Sequence, residues 1–187
     1  DDFANVEIMI SELQSNVLNA SNISHMTFKG FSMCATRAGG MNVSGNNIVI
    51  DNCKIYNVRT FGISANGNDI TIQSNEICNI GSFGISVMGG DQTNLIPSGD
   101  LIYNNYIHDY AIIQRTYESA IQVFGCAVTV SHNEVCNAPH QAIGWSGPNH
   151  VIEYNEVYNV CFETGDCGAL YTGRNFVSYG SVIRYNY

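Results

Sequence analysis

Ionisable side chains of the kinds used in acid–base chemistry gather in two segments of the second half of the chain, with a histidine between them. The segments cover residues 109–118 and 160–167. The residues are Arg115, Tyr117, Glu118, His140, Glu163 and Asp166. Carboxylates beside an imidazole and a guanidinium suit acid–base chemistry on a sugar. We therefore treat these six residues as a candidate site and a polysaccharide as its candidate substrate.

Asp166 is the principal catalytic candidate, and Glu163 and His140 accompany it. Structural interpretations stay open for these residues. Asp166 could cap a turn within residues 164–166, His140 beside Pro139 could bond a loop carbonyl, and Glu163 could be a solvated loop carboxylate. Glu118, placed with the substrate-binding candidates Arg115 and Tyr117, could likewise be a solvated edge residue.

The two segments interrupt a ragged repeat that runs through most of the chain. The anchors of a first strand are Ile23, Ile50, Ile72, Ile102, Val130, Ile152 and Ile183. Three residues after the last five anchors stands Asn, at positions 75, 105, 133, 155 and 186. An apolar column, Phe28 in the first unit and Ile55 in the second, follows five residues after the anchors. A second strand is centred on Met41, Ile63, Ile85, Ile121, Ile143 and Leu170.

Stacked columns of this kind predict an all-β fold in which each unit is one coil of a parallel solenoid. Successive coils would pair about 4.7–4.9 Å apart, and Asn side chains at one bend would bond from coil to coil. We expect about seven coils over residues 23–187, the last one incomplete, with residues 1–22 as a loosely fitting entry segment. A β-sandwich is the alternative, but it does not require one residue type at each bend.

The inserts at 109–118 and 160–167 would enter the second strand at the same edge of the solenoid. They are two coils apart, so the strand spacing places them roughly 10 Å from each other, with His140 on the coil between them. Loops on a rigid scaffold are favoured places for function. The sequence therefore predicts a groove between these two loops.

Two residues beyond the second insert extend the candidate substrate-binding set. A column four residues after the second-strand centre is Gly in five units and Arg174 in the last. Tyr171 should point outward beside it. An aromatic ring next to a guanidinium is a plausible platform for a sugar or a carboxylate, although Arg174 could instead pair with Asp166.

The chain resembles the right-handed parallel β-helices of the pectate-lyase-like superfamily. Segments 89–91, 115–117, 139–143 and above all 163–174, which reads ETGDCGALYTGR, are similar to secreted β-helix proteins related to glycoside hydrolase family 141. That resemblance implies cleavage of fucosides or xylans. The resemblance includes Glu163 and Asp166 but not Glu118. It therefore favours Glu163 and Asp166 as a closely spaced, retaining pair over Glu118 and Asp166 as a wide, inverting pair.

The net charge excludes nucleic acid as a partner and ranks a polyuronate low as a substrate. The chain has 7 Lys plus Arg against 16 Asp plus Glu, a net charge of −9, which leaves no cationic field for nucleic acid. The same acidity would repel a polyuronate unless a cation intervened, so a polysaccharide lyase ranks below a hydrolase. We expect no metal ligands and no cofactor, with calcium as the one ion left open. No apolar stretch is long enough for a membrane span.

Cysteines and glycosylation motifs favour a secreted, extracellular protein. Acceptor sequons start at Asn19, Asn22 and Asn42, and the chain has 7 Cys. Cys161 and Cys167, six residues apart in one loop, are the nominated disulfide.

The preferred function is that of a secreted glycoside hydrolase. The alternative is a structural or glycan-binding β-helix without catalysis. Because the chain ends partway through a coil, we also expect either a longer parent chain or end-to-end self-association.

Overall fold

The computed structural model describes residues 8–187, which contain strands and no helix. Within these residues no helix is therefore long and apolar enough to cross a membrane. Eleven strands form one sheet and six form another. The larger sheet contains β1 (Leu18–Lys29), β3 (Met41–Asp51), β5 (Ile63–Gln73), β7 (Ile85–Gly89), β8 (Leu101–Tyr103), β10 (Ile121–Gly125), β11 (Thr129–Ser131), β13 (Ile143–Ser146), β14 (Val151–Glu153), β16 (Leu170–Tyr171) and β17 (Val182–Arg184). The smaller contains β2 (Ser32–Thr36), β4 (Lys54–Val58), β6 (Glu76–Ile80), β9 (Tyr106–His108), β12 (Glu134–Ala138) and β15 (Glu156–Val160).

Every pairing between these strands is parallel, and each joins residues of successive coils. The long strand β5 pairs with β7 through its first half and with β8 through its second half. Beyond β5 the larger sheet therefore divides into two faces. We call the face of β7, β10, β13 and β16 face 1, that of β8, β11, β14 and β17 face 2, and the smaller sheet face 3. The predicted all-β fold with parallel sheets is confirmed.

Aliphatic columns fill the space between the faces. Ile50, Ile72, Ile102, Val130 and Ile152 pair in one register and are completely buried. The second-strand centres and the column that contains Ile55 and Ile77 are buried in the same core. Burial of a side chain of this size contributes about 1.5–3 kcal/mol, so these columns supply the main driving force of the stack.

An Asn ladder runs along one bend of the stack, as the sequence predicts. Nδ2 of Asn75 donates to Oδ1 of Asn105 at 2.9 Å, and Asn105 donates in the same way to Asn133. The ladder continues through Asn155 to Asn186. Oδ1 of Asn105, Asn133, Asn155 and Asn186 also accepts the backbone N–H of the preceding Asn, so the five coils from Asn75 to Asn186 are bonded to one another through side-chain amides.

The predicted register of the first coil is wrong. Ile23 pairs with Gly45, whereas Phe28 pairs with Ile50 and is the true anchor. Met33, not Phe28, therefore occupies the column of Ile55. A register shift between Ala20 and Ile23 lets β1 continue as one long strand. Ile23 and Phe28 therefore have the spacing of the repeat, although neither occupies the column that the spacing predicts for it. β1 begins at Leu18, inside the segment 1–22 that the sequence sets apart.

Candidate functional site

The inserted loops 109–118 and 160–167 touch each other directly. The guanidinium of Arg115 donates from Nε to Oε2 of Glu163 at 2.6 Å, and its NH2 donates to Oε1. The hydroxyl of Tyr117 donates to Oδ2 of Asp166 at 3.1 Å. The expectation of an open groove about 10 Å wide between the loops is therefore wrong, because long side chains bridge the gap above the intervening coil.

His140 lies on that intervening coil, beneath Tyr117. The two ring centroids are 5.2 Å apart with the planes tilted by 48°, and His140 is only 1% exposed. Neither ring nitrogen has a hydrogen-bond partner in residues 8–187. Burial lowers the pKa of His140, and the nearby carboxylate of Asp166 offsets part of that effect. The imidazole is therefore neutral at pH 7 and shielded from solvent by Tyr117.

The carboxylates of Glu163 and Asp166 lie in different environments. The hydrogen bonds from Arg115 lower the pKa of Glu163, which keeps this exposed carboxylate ionised. The carboxylate of Asp166 accepts the hydrogen bond from the Tyr117 hydroxyl, and the backbone N–H of Asp166 donates to Oγ1 of Thr164 at 3.3 Å. Thr164, not Asp166, therefore supplies the capping oxygen of this turn, which leaves the Asp166 side chain to face Tyr117.

Glu118 is buried, contrary to the interpretation of a solvated edge residue. It is 7% exposed, and that burial raises its pKa despite hydrogen bonds with Ser82 and Gln122. The insert folds back over the preceding coils, where Glu118 lines a depression of about 530 Å³ with Ser82 and Phe83. This depression is separate from the one that contains Tyr117.

The open groove of this region lies on the outer surface of face 1. Two adjoining depressions of about 220 and 450 Å³ share Phe124 and Ser146. The floor consists of outward side chains from successive strands, because Gln122 pairs with Gly144 and Gly144 pairs with Tyr171. Tyr117 of the first insert lines one depression, and residues outside both inserts line the other: Asp91, Gln92, Thr93 and Asn175.

Sequence reasoning missed this groove although one signal was available. The outward column that includes Met88, Phe124 and Ser146 carries two large apolar residues on a surface that is otherwise small and polar. Met88 is 49% exposed. Exposed apolar side chains that line up across adjacent coils are typical of a binding surface.

Trp145, Tyr171 and Arg174 occupy three different positions around the groove. Trp145 packs into the core at 8% exposure, while one part of it lines the groove floor. Tyr171 is half-buried and lines the same floor. Arg174 has a φ of 58° and forms no ion pair within residues 8–187, so the alternative of a salt bridge with Asp166 is wrong.

The comparisons with known proteins identify a shared fold and no family. No protein-family model and no curated protein matches the chain. Among solved structures it is similar to XylC, described as "The complex structure of XylC with xylose", with a TM-score of 0.61 and 16% identity over 75% of this chain. The chain spans 30% of the length of XylC. A likeness at this level of identity is a likeness of fold.

The predicted modification sites lie at accessible positions, and the predicted disulfide is confirmed. Asn19, Asn22 and Asn42 are exposed on β1 and β3, and their glycosylation stays a prediction. Cys161 and Cys167 form a disulfide with Cα atoms 5.9 Å apart, which ties the second insert to itself. The other five cysteines are free thiols. The cysteine argument for an oxidising compartment therefore depends on this one bridge.

Proposed function

We propose that this chain is part of a right-handed parallel β-helix, related to glycoside hydrolase family 141, that binds a polysaccharide on face 1 and hydrolyses it. The observation that carries the proposal is the Tyr117–Asp166 pair at the edge of the face 1 groove. The right-handed sense follows the strong preference of parallel β connections for that hand. The ETGDCGALYTGR segment supplies both the carboxylates and Tyr171.

The lining of the groove suits a neutral sugar. Aromatic surfaces of Tyr117 and Tyr171 flank the amides of Gln122 and Gln141, and no Lys or Arg contributes to this depression. Pyranose rings present apolar faces and hydroxyl edges, which such a mixture of rings and amides can contact. The xylose of the XylC complex and the family resemblance both direct attention to xylans, with fucosides as the second class.

The environments of the two carboxylates divide the catalytic roles. A retaining mechanism needs one carboxylate that stays ionised as the nucleophile and one that exchanges a proton. Glu163 fits the nucleophile, because Arg115 lowers its pKa. Asp166 fits the acid–base residue, with Tyr117 orienting it and neutral His140 supporting the Tyr117 ring from below. Arg174, which has no carboxylate partner within residues 8–187, is available to a substrate hydroxyl.

The test uses hydrolysis of xylan and fucosylated glycans by the purified chain. Asp166→Asn and Glu163→Gln should abolish turnover, whereas Glu156→Gln, an exposed carboxylate on face 3, should not change it. Proton NMR of the first product should show a retained anomeric configuration. An inverted product would exclude the Glu163–Asp166 pair, and full activity of Asp166→Asn would refute the assignment of the site. An unsaturated product would indicate a lyase.

A glycan-binding protein without catalysis is the second candidate. The bridging of the two loops favours it, because Arg115 occupies both carboxylate oxygens of Glu163. In that case the wild-type chain binds the glycan and releases no product, and Arg115→Gln weakens the loop contact without creating or removing activity.

We also propose that the protein is secreted and glycosylated. The exposed sequons at Asn19, Asn22 and Asn42 and the Cys161–Cys167 bridge support this. Mass spectrometry of the chain secreted from a eukaryotic host tests it, since removal of N-glycans converts an occupied Asn to Asp. Unmodified asparagine at all three positions would contradict the glycosylation proposal.

A further inference from the structure

A second cluster of chemically active side chains lies on face 3, on strands that do not contribute to the face 1 groove. Its outward surface carries Cys78 on β6, His108 on β9 and Cys136 on β12 as neighbours in one register. Glu76 projects from the same strand as Cys78 and on the same side. Ligating atoms of Glu76, Cys78 and His108 all lie within 4.8 Å of one another.

The histidine of this cluster is oriented by a carboxylate from outside it. Nδ1 of His108 lies 2.7 Å from Oδ2 of Asp109, so Nδ1 carries the proton and donates it to that carboxylate. The lone pair of Nε2 then faces the cluster, 4.0 Å from Oε1 of Glu76. Histidines that ligate metals are almost always held in this way, with the other ring nitrogen bonded to a carboxylate or carbonyl. Tyr106 fixes the ring further, stacked at a centroid distance of 4.3 Å.

We propose that Glu76, Cys78 and His108 bind a divalent transition-metal ion of the zinc type, with Asp109 as the positioning residue of His108. The ligand set is mixed: one carboxylate oxygen, one thiolate and one imidazole. Zn²⁺ accepts all three at about 2.0–2.3 Å, whereas Ca²⁺ and Mg²⁺ take oxygen ligands only. The Cys78 proton passes to solvent when the thiolate binds, and the charges of Glu76 and Cys78 then balance the ion. Three protein ligands leave a fourth position for water.

The burial of the cluster permits entry of an ion. Cys78 is 6% exposed, while the side chains of His108 and Glu76 are 19% and 39% exposed. The approach is therefore from the Glu76 side. Glu76 is the least enclosed of the three ligands, so its carboxylate has the most room to move toward an ion.

Lys54 competes with the ion for Glu76. Its Nζ lies 2.7 Å from Oε1 of Glu76 on the neighbouring strand. A divalent ion at the cluster would repel this ammonium and take over its carboxylate oxygen. Removing the charge with Lys54→Gln should therefore strengthen metal binding. If Lys54 and Glu76 formed only a surface ion pair with no ion beside it, this substitution would not increase metal affinity.

The test is a Co²⁺ titration of the full chain in oxygen-free buffer, followed by competition with Zn²⁺. Thiolate-bound Co²⁺ gives a sulfur-to-metal charge-transfer absorption, so the readout reports the cysteine directly. We expect one ion per chain and loss of this absorption in Cys78→Ser and in His108→Gln. Cys136→Ser, the matched control on the other side of His108, should keep it. Asp109→Asn should weaken binding by about 10- to 100-fold.

Several results would overturn the proposal. They are no charge-transfer absorption in the wild type, absorption that survives Cys78→Ser, or absorption lost in Cys136→Ser alone. Unchanged affinity in Asp109→Asn would remove its positioning role. If Cys78→Ser does not fold, His108→Gln gives the same decision, because it keeps the thiol and removes the imidazole. None of these outcomes depends on carbohydrate binding.

Discussion

Replacing Asp100 by Asn should remove a pH-dependent loss of stability that the wild-type fold carries. Asp100 is 2% exposed and stands where the equivalent positions of the preceding coils hold Ile48 and Ile70. Its Oδ1 accepts the backbone N–H of Ile70 at 2.9 Å. Burial nevertheless raises the pKa of Asp100 to about 6, because loss of hydration outweighs the hydrogen bonds from Ile70 and Ser98.

The magnitude follows from the difference between this pKa and the ordinary value of 3.8. A rise of about two pKa units corresponds to about 3 kcal/mol of unfolding free energy. Since the folded pKa is the higher one, this stability is fully present below pH ~4 and is lost as the pH rises through ~6. Asn keeps the oxygen that accepts the Ile70 N–H and carries no charge.

The assay is urea unfolding of the wild type and Asp100→Asn at several pH values between 4 and 8. The difference in unfolding free energy should shift in favour of the variant by about 3 kcal/mol across that range and then level off. Other groups, such as buried His150, titrate in both proteins and cancel in the difference. A difference that stays constant with pH would refute the reasoning, because Asp100 would then have an ordinary pKa.

Two further substitutions test the stacking of the coils. Asn105→Ala removes the acceptor of the backbone and side-chain amides of Asn75, and the donor to Ile72 and Asn133. The unfolding free energy should therefore fall by about 3 kcal/mol, whereas the exposed control Asn66→Ala should change it by less than about 0.5 kcal/mol. Equal effects of the two substitutions in urea unfolding would contradict the ladder. Gly67→Ala should destabilise the fold more than an ordinary Gly→Ala change, because φ is 151° and a Cβ would meet the carbonyl oxygen of Gly45 at 1.6 Å; a wild-type melting temperature would contradict this contact.

The repeat could be predicted from sequence because it is imposed by periodic burial. The Ile columns recur at matching positions, and five successive coils carry Asn at the same bend. The first coil could not be aligned correctly, since a bulge in β1 shifts its register while leaving Ile23 and Phe28 at plausible spacings.

The side-chain contacts of the candidate site could not be predicted from the repeat. The pairing of Arg115 with Glu163 depends on the paths of two irregular loops, which no column specifies. Glu118 is a substrate-binding candidate with a solvated edge position as the alternative, because an insert normally faces solvent, yet this insert folds back over Ser82. These residues are positioned by tertiary packing, which overrides the local pattern.

The face 3 cluster could have been found from the sequence. Cys78, His108 and Cys136 each stand six residues after an anchor, so the repeat itself places them side by side. No local motif marks this set, because its members stand on different coils. In a solenoid, a ligand set can assemble from residues about thirty positions apart through register alone.

Fluorescence of Trp145 is the most direct test of the proposed glycan site. It is the single tryptophan of the chain and lines the floor of the face 1 groove. Titration with xylo-oligosaccharides and fucosylated oligosaccharides should give a saturable change in its emission. The change should be lost in Tyr171→Ala and kept in Glu156→Gln. Emission that stays constant with every glycan, or a change that survives Tyr171→Ala, would contradict carbohydrate binding in this groove.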